Sequence, residues 1–295
     1  MKHFPFSTEA ASFQGYKRAH QHNHGNEDVF VTYRNVMAVI DGATSMIPNR
    51  LDGLTAAQYI ARFVEAELIT LARELDDDHV TAADLLRAVN ARFADHLRIY
   101  HPLVAAQGKY GPSAAGVVVK IHADGTYSFA QVADCFLVEL SANGLHGQLL
   151  TPDQLVDLDE NGALKNARDM IRNGGDPATV LDDPAVRRQL KDNRLKNNVA
   201  FGVINGEADM EQHICAGRRP LDDVHALVLM SDGMVGPAGR GAANIVASAQ
   251  DLLIYGVPGY YARIKSCYDA DADFRLYPRF KHMDDATALL LRFRR

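Results

Sequence analysis

Acidic residues that adjoin apolar runs are the part of this sequence best suited to chemistry. Three of them are Asp41 after the run at 36–40, Asp232 after the run at 226–230, and Asp284 before the run at 288–291. A buried strand that begins or ends at an aspartate holds its carboxylate on rigid backbone, where oxygen ligands for hard cations can gather. Three such aspartates, far apart in sequence, predict a metal centre that is assembled by the fold.

A fourth acidic pair, Glu27-Asp28, precedes the first of these runs. Carboxylate oxygens favour Mg²⁺ or Mn²⁺, and a pair of such ions lowers the pKa of a shared water and clamps the oxygens of a phosphate group. Gly42, directly after Asp41, lets its backbone approach a cation closely because it has no Cβ. The plainer interpretation of any single Asp-Gly beside a strand is an ordinary turn.

Apolar periodicity indicates the elements that would position these residues. Residues 29–40 and 113–140 have the composition of strands, with a hairpin turn at Asp124-Gly125. A turn at Asn143-Gly144 would lead to a short strand around 148–150. Two helices lie between these strands, and each begins with a capping box, Thr55 with Gln58 and Thr81 with Asp84. Their apolar faces are predicted to include Ile60, Phe63, Val64, Leu68, Leu71 and Leu75 in the first helix, and Leu85, Leu86, Val89, Phe93, Leu97 and Tyr100 in the second.

The second half of the chain begins with a polar stretch at 151–197, which predicts an excursion of short helices that could cover a site as a flap. Strands are expected at 199–204, 226–230 and 286–293, and a helix in two pieces at 242–270. Hairpin-linked strands interrupted by helices predict an α+β fold of antiparallel sheets with helices on their outer faces. No linker or internal repeat is evident, so 1–295 is predicted to be a single domain.

Composition narrows the classes of function. The chain has 295 residues, of which 47% are hydrophobic and 23% charged, and a formal net charge of −6. This balance argues against a nucleic-acid-binding surface, which usually carries a basic excess. Its apolar runs stay short of the eighteen residues that a membrane span needs. Three cysteines without a Cys-x-x-Cys pair, and an N-terminus without a signal peptide, favour the cytoplasm.

The acidic residues also belong to short motifs whose order along the chain is characteristic. The motifs are Asn26-Glu27-Asp28, Ala38-Val39-Ile40-Asp41-Gly42, Gly111-Pro112-Ser113-Ala114-Ala115, Gln131-Val132-Ala133-Asp134-Cys135, Leu229-Met230-Ser231-Asp232-Gly233 and Asp284-Asp285-Ala286-Thr287. In this order, over about residues 12–293, the sequence resembles the metal-dependent protein phosphatases of type 2C, especially the compact bacterial members.

The resemblance implies a role for each matching residue. Asp41 would bridge two Mg²⁺ or Mn²⁺ ions, the Gly42 carbonyl would be a further ligand, and Asp232 and Asp284 would complete the shell of one ion. Glu27 and Asp28 would hold water molecules bound to the metals. The implied fold is two antiparallel β-sheets packed face to face between helical layers. The implied reaction is hydrolysis of a phosphoserine or phosphothreonine monoester by metal-activated water, with a phosphorylated protein as the substrate.

The sequence departs from the family pattern at three places. Asn23 stands where many members have a phosphate-binding arginine, for which Arg18 and Arg50 are the candidate replacements. His22 and His24 are candidates for the general acid, although solvated loop histidines would look the same. Bacterial relatives bind a third ion at the position of Asp134, but Ala133 and Cys135 replace the usual glycine and serine, so that site stays open.

These departures leave two alternatives to a protein serine/threonine phosphatase. One is a catalytically weak, phosphatase-like module that binds or regulates a partner. The other keeps the metal chemistry but acts on a small phosphorylated metabolite.

Overall fold

The computed structural model describes residues 5–18, 21–22, 25–43, 50–75, 77–141, 146–158 and 162–294. The strands are β1 Phe6–Phe13, β2 Tyr16–Arg18, β3 Gln21–His22, β4 Asp28–Tyr33, β5 Val36–Gly42, β6 Ala114–Ile121, β7 Thr126–Val132, β8 Phe136–Ser141, β9 Gly147–Leu149, β10 Cys215–Pro220, β11 Val224–Met230 and β12 Ala286–Phe293. The helices are α1 Ala56–Glu74, α2 Ala82–Tyr100, α3 Pro102–Ala105, α4 Val156–Leu158, α5 Leu164–Arg172, α6 Pro184–Arg194 and α7 Ala242–Ala270.

Ten of these strands form two antiparallel sheets of five strands each. Sheet I has the order β10-β7-β6-β5-β4, and sheet II has the order β1-β12-β11-β8-β9. Neighbouring strands pair antiparallel in both sheets, and β2 and β3 form a small separate ribbon. Hairpins account for several of these pairings, including the predicted β6–β7 hairpin around Asp124-Gly125.

The two sheets pack face to face through one apolar core. Sheet I contributes side chains such as Met37, Val39 and Val117 to it, and sheet II contributes Leu229 and Leu289. Burial of each such side chain stabilises the fold by about 1.5–3 kcal/mol. Helices α1 and α2 cover the outer face of sheet I, and α7 covers the outer face of sheet II. The predicted α+β fold, with antiparallel sheets between helical layers, is confirmed.

Both predicted capping boxes are present. The Thr55 hydroxyl accepts from the Gln58 amide at the start of α1, and Thr81 and Asp84 cap α2 in the same way. The predicted apolar faces are wrong only at the C-terminal ends of the two helices. Leu75 follows the last residue of α1 and is 36% exposed, and Tyr100 ends α2 and is 67% exposed. Both residues lie at the C-terminal end of a helix, where the apolar period of the sequence continues although the side chain is exposed.

Of the strands in the later part of the chain, some were predicted correctly and one was not. Strand β12 has the predicted bounds 286–293, and β9 confirms the short strand near 148–150, whereas Asn143-Gly144 lies outside the described residues. The strand predicted at 199–204 is wrong, because this segment makes only isolated bridges, such as Ile204 with Ala114. The true edge strand of sheet I is β10 at 215–220, which pairs with β7.

The polar stretch 151–197 forms the predicted short helices, α4 to α6. The stretch has a small apolar cluster of its own, in which Ile171 and Val186 pack with Phe274 from the segment that precedes β12.

Helix α7 is broken at Gly256, whose φ of 70° interrupts the helical backbone as predicted for this segment. Among the described residues, no helix is both long and apolar enough to cross a membrane.

Candidate metal centre

Sheet I positions the N-terminal group of carboxylates. Asp28 is the first residue of β4, Asp41 lies near the end of β5, and the two are directly opposite each other in the antiparallel register. Side chains of opposed residues lie about 4.5–5.5 Å apart at Cβ and point to the same face. Glu27 precedes β4 and accepts a hydrogen bond of 2.7 Å from the Thr55 hydroxyl, which also caps α1. The start of α1 thereby fixes the position of the Glu27 carboxylate.

Gly42 is required by packing. A Cβ at this position would lie 2.4 Å from the carbonyl oxygen of Ala57 and 2.8 Å from that of Glu27. The Gly42 amide donates a hydrogen bond of 3.1 Å to the same Glu27 carbonyl. The glycine therefore allows the first turn of α1 to pack against the end of β5, a reason that the sequence did not reveal.

Sheet II positions the C-terminal group. Asp232 follows β11, Asp284 and Asp285 precede β12, and β11 and β12 are neighbours in the sheet. The two acidic turns touch, because a Cβ on Gly233 would lie 2.0 Å from the Asp285 carbonyl oxygen. Only a residue without a side chain lets the turns approach this closely.

Asp285 and Ser231 connect the two sheets beneath the acidic residues. The Asp285 carboxylate accepts hydrogen bonds from the amides of Gly15, at 2.6 Å, and Glu27, at 2.8 Å. The Ser231 hydroxyl donates to Asp28 Oδ2 at 2.7 Å. These contacts place the end of sheet I against the end of sheet II, which brings the two groups of carboxylates together.

The carboxylates line one cleft of about 250 Å³. Glu27, Asp41, Asp134, Asp232 and Asp284 contribute to its wall. The facing wall includes residues of the 151–197 excursion. The predicted ligand Gly42 is also part of the lining, while Asp28 lies behind Asp41 and is only 4% exposed.

Crowding and burial disfavour the ionised form of these groups. Burial, followed by the charges of Asp28 and Asp232, raises the pKa of Asp41 well above its usual value. Burial also raises the pKa of Asp28 to about 8 and that of Asp232 to about 8, with further contributions from neighbouring aspartates. Burial likewise raises the pKa of Glu27. Such a group of carboxyls favours the arrival of positive charge.

Two side-chain cations already contact the acidic residues. Lys281 Nζ lies 2.5 Å from Asp284 Oδ1, and Arg240 Nη1 lies 3.1 Å from Asp232 Oδ2. Although burial disfavours the ammonium, Asp284 raises the pKa of Lys281, which is therefore charged. Among the described residues, no three His, Cys, Asp or Glu side chains converge in a geometry that would bind a metal.

The donor set nevertheless fits divalent cations in type and in charge. All of the acidic groups offer oxygen ligands, as Mg²⁺ and Mn²⁺ prefer. Asp28 Oδ1 is buried and has no hydrogen-bond partner among the described residues. A buried carboxylate oxygen without a partner costs free energy, which a nearby cation or its water would recover.

The turn that contains Asp134 differs from the other acidic turns. Ala133 has a φ of 62°, in the left-handed region that glycine adopts without strain. The Cys135 thiol is completely buried, and burial followed by nearby aspartates raises its pKa well above the usual value. Asp134 itself is held by Arg240, whose Nη1 lies 2.8 Å from Asp134 Oδ2.

The candidate phosphate-binding residues are not brought to the cleft by any described contact. Arg50 is exposed, donates a hydrogen bond of 2.8 Å to the Gly53 carbonyl, and does not belong to the cleft lining. The backbone of Arg18 lies in β2 and that of His22 in β3, but their side chains lie outside the described part of the structure, as does all of His24. Their predicted roles stay predictions.

A cationic residue that the sequence did not single out lies in the cleft. Arg194 is the last residue of α6 and belongs to the cleft lining together with Asn193 and Asn197. Its Nη1 donates a hydrogen bond of 2.9 Å to the Ser113 hydroxyl, at the start of β6. No local pattern in the polar stretch distinguishes Arg194 from neighbouring arginines, because its position depends on how the excursion packs on the sheets.

A second cavity, of about 530 Å³, adjoins the same acidic residues. Asp232, Phe280, Lys281 and Asp284 line both cavities, so these four residues lie between them. Arg168 and Tyr268 lie farther along the second cavity. The acidic residues therefore border both cavities, and residues of the excursion line each of them.

Comparison with known proteins finds similarity at the level of structure. No protein-family model and no curated protein matches this sequence. Among solved structures, the serine/threonine phosphatase PstP/Ppp of Mycobacterium tuberculosis is similar with a TM-score of 0.56 and 16% identity, over 98% of this chain and 99% of that one. Stp1 of Staphylococcus aureus is similar with a TM-score of 0.55 and 14% identity, over 99% of this chain and 96% of that one.

A structure of the PstP catalytic domain in complex with two manganese ions is also similar. Its TM-score is 0.55 and its identity 15%, over 98% of each chain. At these identities the comparison establishes the architecture. This chain has the fold of the bacterial serine/threonine phosphatases of type 2C.

Proposed function

We propose that this protein is a Mg²⁺- or Mn²⁺-dependent phosphomonoester hydrolase that acts as a protein serine/threonine phosphatase. The observation that carries the proposal is that Glu27, Asp41, Asp232 and Asp284, from the ends of two sheets, line one cleft. The raised pKa values of Asp41 and Asp232 add support, because excess negative charge in a partly enclosed site calls for cations. The shared fold, including that of a phosphatase domain with two manganese ions, agrees with it.

In this proposal each acidic residue has a definite role. Asp41 and the Gly42 carbonyl, together with Asp232 and Asp284, would hold two divalent ions, with Asp41 serving both. Glu27 and Asp28 would hold water molecules of these ions. When bound, a pair of divalent ions supplies a nucleophilic water near neutral pH and positive charge for the phosphate oxygens.

Protein side chains provide the remaining functions. Arg194 binds the substrate phosphate, since its guanidinium lies in the same cleft and can form paired hydrogen bonds with two phosphate oxygens. The excursion acts as the flap that carries Arg194 and borders the cleft, and the chain acts as a single domain. His22 and His24 stay the candidates for protonating the leaving serine or threonine oxygen, and Arg18 and Arg50 stay alternatives for phosphate binding.

Hydrolysis assays on metal-stripped protein test the proposal directly. We expect phosphate release from p-nitrophenyl phosphate and from a phosphothreonine peptide after Mn²⁺ is added, and loss of this release in Asp232→Asn. Asp209→Asn is the matched control, because Asp209 is exposed and outside the cleft lining. Equal release by the wild-type and Asp232→Asn proteins would refute the proposal. So would the absence of phosphate release by the wild-type protein with both Mg²⁺ and Mn²⁺.

Two further measurements separate the alternatives. Faster hydrolysis of small phosphorylated metabolites than of phosphopeptides would assign the metal chemistry to a metabolite phosphatase. Tight calorimetric binding of a phosphopeptide without turnover would indicate a regulatory module, an outcome that the cations on Asp232 and Asp284 make worth measuring. A phosphorylated protein as partner and a cytoplasmic location are part of the same proposal.

A further inference from the structure

Arg240 makes an unusual set of contacts next to the acidic centre. Its Nη1 lies 2.8 Å from Asp134 Oδ2 and 3.1 Å from Asp232 Oδ2, and its Nε lies 3.1 Å from Asp153 Oδ2. We call these four residues the Arg240 cluster. One guanidinium therefore contacts three carboxylates at ion-pair distance.

The cluster is assembled from distant parts of the chain. Asp134 lies in the turn between β7 and β8, Asp153 lies at the start of the excursion before α4, and Asp232 follows β11. Arg240 lies in the segment between β11 and α7. The contacts between residues so far apart in sequence depend on the tertiary fold, and they join the base of the excursion to the acidic centre.

Burial distinguishes this cluster from the exposed ion pairs of the protein. The side chains of its four residues are between 5% and 26% exposed. In the surface pair of Arg218 and Asp124 the side chains are 39% and 55% exposed. Exposed pairs of that kind contribute about 0–1 kcal/mol, whereas enclosed charges interact more strongly and are costly to leave uncompensated.

Three carboxylates held this close need a positive charge among them. A divalent cation would provide it, and so does the guanidinium of Arg240, which offers several N–H donors in a fixed plane. Both cannot occupy the same space between Asp134, Asp153 and Asp232. The guanidinium of Arg240 already lies at ion-pair distance from all three carboxylates.

We propose that Arg240 is the resident cation of this cluster, so that the metal centre takes two ions and the space beside Asp134 is closed to a third. Arg240 is then a positioning residue: it fixes the carboxylate of Asp232 for binding the two metal ions and holds Asp153 at the base of the excursion. This inference rests on the proposed two-ion function, and it assigns to the chain itself a charge that an additional ion would otherwise supply.

Counting bound ions tests the inference without reference to activity. Metal-stripped protein is dialysed against Mn²⁺, and bound and free Mn²⁺ are measured by electron paramagnetic resonance and elemental analysis. We expect two ions in the wild-type protein, three in Arg240→Met, and two again in the double variant Arg240→Met with Asp134→Asn. Arg240→Lys keeps a cation in place and should retain two, as should Arg218→Gln, which removes an exposed arginine elsewhere.

The outcomes separate the inference from the function on which it rests. Three ions in the wild-type protein, or two in a folded Arg240→Met protein, would overturn the assignment of Arg240. No bound ion in the wild-type protein would overturn the metal-dependent function and the inference with it. If Arg240→Met does not fold, Asp134→Asn alone decides: we expect it to retain two ions, and the loss of one would show that Asp134 holds a metal instead of the guanidinium.

Discussion

The metal-free protein should lose stability as pH rises, and Asp28 should account for much of the loss. Burial raises the pKa of this carboxyl from 3.8 to about 8. Between these values the folded protein holds a proton that the unfolded chain has released, so the folded state binds more protons. The free energy of unfolding therefore falls with increasing pH across this window, and the contribution is complete only below the unfolded pKa.

The magnitude follows from the size of the shift. Each pKa unit corresponds to about 1.4 kcal/mol, so raising the pH from about 5.5 to about 8 should remove roughly 3 kcal/mol for a carboxyl with this shift. Asp28→Asn abolishes this contribution because the amide does not titrate. The new amide can still accept from Ser231, but its NH₂ group is buried, at a cost of about 1–3 kcal/mol at both pH values.

Urea unfolding in the presence of a chelator provides the assay, with the variant and the wild-type protein compared at both pH values. The free energy of unfolding of the wild-type protein should fall more than that of Asp28→Asn, by roughly 3 kcal/mol. Asp209→Asn, at an exposed position, should behave as the wild-type protein. A pH dependence that is the same in Asp28→Asn and in the wild-type protein would refute the reasoning.

Two other substitutions test the surroundings of the centre. Lys281→Met removes the ammonium from Asp284, so calorimetry should show tighter Mn²⁺ binding, while the free energy of unfolding without metal should fall by about 1–3 kcal/mol; unchanged Mn²⁺ affinity would show that the two cations do not compete. Thr55→Ala removes the cap of α1 and the hydrogen bond to Glu27, and urea unfolding should show a loss of about 1–2 kcal/mol. Thr70→Ala, at a half-buried site within the same helix, is its control, and equal effects of the two would contradict the capping argument.

Local signals explain which parts of the fold could be predicted. The capping boxes at Thr55 and Thr81 are decided within four residues, and β12 is an apolar run with a sharp acidic start, so both were predicted correctly. Strand β10 was missed because it is the edge of sheet I, where alternate side chains face solvent, and because its sequence includes Arg218 and Arg219. The segment 199–204 has a strand-like composition but wraps around Asn198, whose side-chain oxygen accepts a hydrogen bond from the Val203 amide.

The acidic residues of the cleft were predictable because they adjoin apolar runs that are recognisable in the sequence as strands. The cations were not, because Arg240 and Lys281 reach the carboxylates from loops, and Arg194 reaches the cleft from the end of a short helix. Nothing in the few residues around an arginine reveals which distant aspartate it will meet. The sequence could thus indicate where negative charge collects, and only the tertiary structure shows how the protein balances it.

The acidic cleft lies where the ends of the two sheets meet, with Asp28 and Asp41 on one side and Asp232 and Asp284 on the other. Ions bound there would tie the two halves of the sandwich together at one end, as a crosslink does. Removal of the ions should leave the far end of the sandwich closed, while the end that contains the cleft opens transiently. Amide hydrogen exchange would then accelerate at the strand termini around Asp41 and Asp284 and stay slow at the opposite ends of β5 and β12, so that the metal would govern mechanical cohesion as well as chemistry.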